Sequence, residues 1–114
     1  MLSKLKTTVL GDIGCYTLGC AKPLQTTDTC LCMGAGVTVA QGLQTAAHLA
    51  GDDETLHVGF VGDSTFFASA MTGLANAVYN CHRMVLCVLD NATTAMTGSQ
   101  PHPGTGVTLM GTRS

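Results

Sequence analysis

Leu56-His57-Val58-Gly59-Phe60-Val61-Gly62-Asp63-Ser64 is the stretch that decides the fold. Leu56 to Val61 reads as a strand, with Val58, Phe60 and Val61 as apolar members, and it stops at Gly62-Asp63-Ser64. Downstream, Phe67 to Tyr79 sets Phe67, Ala70, Met71, Leu74 and Val78 on one helical face. Met84 to Leu89 is then a near-continuous apolar run, as in a strand buried on both faces, and it stops at Asp90-Asn91. Upstream, Met33 to Ala50 carries Val39, Leu43, Ala46, Ala47 and Ala50 at helical spacing. Its glycines, Gly34, Gly36 and Gly42, weaken a helix and call for a closely approaching backbone or ligand. Gly51-Asp52-Asp53-Glu54 is a solvated turn. Val9-Leu10 reads as the tail of a strand ending at Gly11-Asp12, and Cys15 to Thr29 as a long loop. Ala92 to Gly106 is a Gly, Thr and Pro-rich loop.

The order strand, helix, strand, helix, strand needs crossovers too long for hairpins. It predicts an α/β, three-layer fold, a parallel sheet with helices on both faces. At 114 residues the chain is one domain, 1–114. Five Lys+Arg against seven Asp+Glu give a formal charge of −2, which argues against nucleic-acid binding. Charged residues are 11% of the chain, against about 25% in an ordinary soluble domain. So little charge implies that much of the surface faces another chain or copy, and an oligomer is expected.

The basic start Met1-Leu2-Ser3-Lys4-Leu5-Lys6 leads into an apolar run that ends too early for a signal peptide. Thr29 to Gly51 and Ser64 to His82 lack charged residues, but Gln41, Gln44, His48, Asn76 and Asn80 interrupt them. Buried helices are expected, and no membrane association. The six cysteines, at 15, 20, 30, 32, 81 and 87, follow neither zinc nor ferredoxin spacing. Free, buried, inert thiols in a reducing cytoplasm are expected. His102, between Pro101 and Pro103, reads as a rigid loop residue, and His48 as a helix-surface one.

Asp63 and Asn91 each follow a buried strand, 28 residues apart. In a parallel sheet both stand at C-terminal strand ends, where ligands bind, and adjacent ends lie about 5 Å apart. A carboxylate and an amide carbonyl are hard oxygen donors suited to Mg²⁺ or Ca²⁺. Such a Mg²⁺ completes its shell with phosphate and water. Gly62, Ser64 and Thr65 open a helix whose N–H groups would face that phosphate. Gly-Asp-Ser alone would read as a helix cap; the pairing with Asn91 favours a site. There is no GxxxxGK[ST], and no GxGxxG follows a strand.

Gly62-Asp63-Ser64, followed after one crossover by Asp90-Asn91, resembles the metal and diphosphate motif of thiamine diphosphate (ThDP) enzymes. Most such families have Gly where Ser64 stands. Cys32-Met33-Gly34-Ala35-Gly36 resembles the helix start that precedes the motif. Gly11-Asp12-Ile13-Gly14-Cys15-Tyr16-Thr17-Leu18-Gly19, Gly62 through Phe67 and Leu89 through Gly106 resemble the large subunit of the indolepyruvate:ferredoxin oxidoreductases. The likeness runs from about Val9 to Met110.

The resemblance implies a diphosphate-type ThDP-binding fold, here incomplete. It implies that Asp63, Asn91 and the Thr93 carbonyl hold Mg²⁺. Gly62, Ser64 and Thr65 would meet the diphosphate, and Gly14 and Cys15 would approach the cofactor. Met33 would press between its rings, and Met96 and Thr97 would close a loop over the phosphates. It further implies oxidative decarboxylation of aryl pyruvates, with coenzyme A taking the acyl group. Electrons would pass to ferredoxin through iron–sulfur clusters on a partner or on other segments. The family's pyrimidine-side Glu has no counterpart, since the one Glu is Glu54 in a polar turn. A pyrimidine-side domain or subunit is therefore expected, and an isolated chain without activity. The alternatives are a non-catalytic ThDP-binding remnant and a subunit of a non-oxidative 2-oxoacid decarboxylase.

Overall fold

A computed structural model describes residues 5–113. The first four residues of the basic start lie outside them. Four strands form one parallel sheet: β1 (Thr7–Gly11), β2 (Thr29–Cys30), β3 (Leu56–Gly62) and β4 (Met84–Leu89). Their spatial order is β2-β1-β3-β4. β2 is a short strand that begins on the last residue of the stretch expected to be loop, and a 3₁₀ turn, Cys15–Cys20, precedes it. Helix α1 (Ala35–Leu49) links β2 to β3. Between β3 and β4 the chain forms α2 (Asp63–Thr65), a π turn (Phe66–Ala70) and α3 (Met71–Tyr79) without interruption.

The two helical crossovers, β2 to β3 and β3 to β4, step the same way across the sheet, so right-handed connections put α1 and α3 on the same face. They do meet. Buried Gln41 Nε2 donates to Gly73 O at 2.6 Å, and Asn76 Nδ2 donates to Gln41 Oε1 at 2.6 Å. The core lies beneath them, where Val37, Val61 and Ala70 pack with Phe66, Met84 and Leu86.

Of the apolar stripes expected on the helices, Ala70 is buried and Val39 and Ala47 are half-buried, while the rest face outward. On α1 the buried residues are Ala35, Gly36, Val37, Ala40 and Gln41, whereas Leu43, Ala46 and Ala50 are exposed. On the second helical run Ala70, Gly73 and Ala77 are buried, whereas Phe67, Met71, Leu74 and Val78 are exposed. The reason is close approach. A Cβ on Gly36 would lie 2.5 Å from Phe60 O, and one on Gly73 would lie 3.1 Å from Val37 Cγ1. Small residues make the closest approaches, with Val37 and Gln41 packed between them, so most of the bulkier apolar residues face outward. β4 differs likewise: among the described residues it pairs on one side alone, and Val85, Val88 and Leu89 are exposed. The thiols are free but not buried: Cys15, Cys20, Cys32 and Cys81 are exposed, and Cys30 and Cys87 half-buried.

Candidate cofactor site

The register Gly62↔Leu89 carries β3 and β4 to the same height, so Asp63 and Asp90 leave the sheet side by side. Asp63 is buried. Its Oδ1 accepts from Ser64 N at 2.8 Å. Its Oδ2 accepts from Asn91 N at 3.1 Å and from His102 Nε2 at 3.0 Å. Burial pushes this carboxyl up. The backbone hydrogen bonds from Ser64 and Asn91, the Asp90 side chain and His102 outweigh burial and hold it below the usual carboxylate range.

After β4 the chain turns sharply. Ala92 stands at φ 57, a left-handed conformation that costs a residue with a Cβ. The turn is braced by Ala92 N donating to Asp90 Oδ1 (2.8 Å) and Thr93 N donating to Asn91 Oδ1 (3.3 Å). Thr94 Oγ1 then donates to Ser64 Oγ at 2.8 Å, tying the loop to the start of the helical run. That leaves the Ser64 hydroxyl proton free to donate into the cavity. The π turn immediately follows, a distortion that recurs beside functional sites.

These elements enclose a cavity of about 440 Å³. Gly62, Asp63, Ser64 and Thr65 line it from β3 and α2. Asn91, Thr93, Met96 and Thr97 line it from the loop after β4. Gly14 and Cys15 reach it from the end of β1, and Met33 from just before α1. All eleven residues singled out in the sequence thus border one space.

Others escaped notice. Tyr16 lines the cavity and its hydroxyl accepts from Gly62 N at 2.9 Å. Burial, then the nearby Asp12 carboxylate, pushes the Tyr16 phenol up to about 12. Asp90 and Thr94 line it too. His102, read as a rigid loop residue, is buried against Asp63. The usable signal was a lone imidazole between two prolines, downstream of a buried carboxylate in need of donors. His48 is exposed, as read.

The donors suit a hard divalent cation. The three N–H donors on Asp63 leave one acceptor position, on Oδ1. Asn91 Oδ1 and the Thr93 carbonyl stand on the adjoining turn. Among the described residues no group of three or more His, Cys, Asp or Glu could hold a metal, so carbonyl and phosphate oxygens would complete the shell. Glu54 stands just ahead of β3, at the sheet end away from the cavity, and its exposed carboxylate lies 3.9 Å from Lys6 Nζ.

A parallel sheet with a buried Asp and an Asn-bearing turn at the carboxyl ends of adjacent strands is the setting in which open α/β domains bind their ligands. Residues 12–114 match the family model of the thiamine pyrophosphate enzymes' C-terminal TPP-binding domain, and the chain belongs to that family. Among curated proteins it is 46% identical over 108 residues to indolepyruvate oxidoreductase subunit IorA of Thermococcus kodakarensis, covering 88% of this chain and 17% of that protein. It is 53% identical over 95 residues to the IorA subunit of Archaeoglobus fulgidus, covering 83% of this chain and 14% of the relative. For that of Methanothermobacter marburgensis the identity is 50% over 100 residues, 88% and 15%. The chain therefore spans about one sixth of the length of these relatives. Among the described residues no helix is long and apolar enough to cross a membrane.

Proposed function

We propose that residues 1–114 act as one unit, the ThDP- and Mg²⁺-holding part of an oxidoreductase that decarboxylates indolepyruvate and related aryl pyruvates. The observation that carries this is the buried Asp63 beside the Asn91 turn, at the edge of a cavity bordered by every other residue of the motif. Asp63 Oδ1, Asn91 Oδ1 and the Thr93 carbonyl would hold the cation. The Ser64 hydroxyl and the N–H groups opening the helical run would hold the diphosphate, and Gly62 lets it approach the backbone. Met33 would brace the cofactor's rings, its unbranched chain suiting a wedge. Met96 and Thr97 would shield the phosphates from water, and Gly14 and Cys15 would bound the reacting end. Bound ThDP supplies the electron sink for decarboxylation.

Glu54 lies too far from the cavity to meet the cofactor's pyrimidine, so a pyrimidine-side domain or subunit is expected to bring that carboxylate. Iron–sulfur clusters on a partner, ferredoxin and coenzyme A complete the proposed reaction to an aryl-acetyl-CoA, and the isolated chain is expected to be inactive. Six unpaired thiols support a reducing, cytoplasmic setting.

Calorimetric titration of the chain with ThDP tests the reading. Binding that requires Mg²⁺, is lost in EDTA and is abolished by Asp63→Ala is expected. A folded chain that binds no ThDP in the presence of Mg²⁺, or an Asp63→Ala variant that binds normally, would overturn it.

A further inference from the structure

His102 is only 6% exposed, and its two ring nitrogens have separate partners. Nδ1 accepts from Gly104 N at 3.2 Å. That nitrogen must therefore carry a lone pair, and the ring proton sits on Nε2. Nε2 then donates to Asp63 Oδ2 at 3.0 Å. The ring is held from other sides as well. Phe67 stacks on it, with centroids 6.0 Å apart and planes 26° apart. Thr105 bonds back to the His102 carbonyl through both its N–H (2.9 Å) and its hydroxyl (2.8 Å). Pro101 and Pro103 restrict the backbone on either side.

The consequence falls on Asp63. His102 and the Asn91 N–H together fill both acceptor positions of Oδ2. Only Oδ1 keeps a position for a cation. His102 itself does not border the cavity. We propose that His102 is a positioning residue: by donating from Nε2 it fixes the Asp63 carboxylate so that Oδ1 presents its free position to the divalent cation. It also joins the 98–106 loop to the cofactor cavity. The inference rests on the proposed role of Asp63 in holding the cation.

Three substitutions separate positioning from space-filling. His102→Gln offers an amide N–H at about the reach of Nε2. His102→Asn carries its N–H too short to reach Asp63, and His102→Leu fills space without a donor. Each chain is titrated with Mg²⁺ at fixed ThDP, its folding is followed by thermal denaturation, and the ligand-free wild-type ring is examined by ¹⁵N NMR. The wild-type ring should have a protonated Nε2 and a bare Nδ1. His102→Leu and His102→Asn should weaken Mg²⁺ binding about 10- to 100-fold, as loss of a partner behind a metal ligand does. His102→Gln should recover most of that loss. Should His102→Leu not fold, the comparison of His102→Asn with His102→Gln decides alone. Equal losses in Gln and Asn, undiminished binding in Asn or Leu, or a proton on Nδ1 would overturn the proposal while leaving the cofactor reading intact. A wild-type chain that binds no ThDP with Mg²⁺ would remove the reading itself, and the proposal with it.

Discussion

The carboxylate of Asp12 accepts the N–H of Gly34 at 2.7 Å, fastening the end of β1 to the entrance of α1. Its other oxygen accepts from Ile13 N at 2.8 Å. Asp12 is fully buried, and Gly34 stands at φ 89, in the left-handed region that favours glycine. Met33 precedes that glycine, so the same contact sets where Met33 meets the cavity. Asp12→Ala leaves two N–H groups without this partner and should cost about 1.5–3 kcal/mol. Urea denaturation measures the loss. Asp12→Asn keeps one carbonyl acceptor and should fall between, and a harmless Asp12→Ala would show that water replaces the carboxylate.

Two glycines of α1 should respond in opposite directions. Gly36 is pressed against Phe60 O and Leu10 O, where a Cβ would lie 2.5 and 3.0 Å away. Across the contact, a Cβ on Gly59 would lie 2.8 Å from Gly36 O. Gly36→Ala must push α1 off the sheet and should destabilise by about 1–3 kcal/mol. Gly42 has nothing within 4 Å, so Gly42→Ala should stabilise by about 0.5–1 kcal/mol through helix propensity alone. Thermal midpoints moving the same way for both would refute the packing argument.

Tyr16 predicts an alkaline dependence. Its phenol is raised from 10.0 to about 12, so the folded chain favours the neutral form. The stability this gives is complete below pH 10 and is lost as pH rises through about 12. Tyr16→Phe deletes the acceptor for Gly62 N and should cost about 1 kcal/mol at neutral pH. It also deletes the titration, so the gap between the stability curves of variant and parent should close as pH rises above 10. Parallel curves across that range would show that Tyr16 titrates as it does in the unfolded chain.

Strand and helix order was legible because β3 and β4 are bounded by abrupt polar stops, Gly62-Asp63 and Asp90-Asn91. The same stops marked the cavity, since strand ends in a parallel sheet converge on one edge. Helix orientation was not legible. Periodicity weighs residues by bulk, while the closest contacts here are made largely by small residues, Gly36, Ala40, Gly73 and Ala77 among them. β2 was hidden for another reason: two residues are too few to show alternation. His102 and Tyr16 escaped because they act across long separations, on Asp63 and on Gly62, and nothing local announces such a partner.

An oligomer, expected from the low charge of the chain, would form through the outer side of β4. Among the described residues no strand pairs there, and Val85, Val88 and Leu89 are exposed along it. Beside it, α3 and β4 leave an apolar groove of about 270 Å³ that includes Leu74, Val78, Met84 and Leu86. An unpaired strand edge next to an apolar groove offers a second copy both backbone hydrogen bonds and apolar burial. Sedimentation should therefore find mass rising with concentration. Val78 is 70% exposed, so Val78→Lys should leave stability within about 0.5 kcal/mol while charging the groove. Val85→Lys should instead block strand addition from the edge. Each variant should shift the chain toward monomer, and the two together more than either. A monomeric parent across the accessible concentration range would sink the idea, and association unchanged by both lysines would move the contact to a different surface.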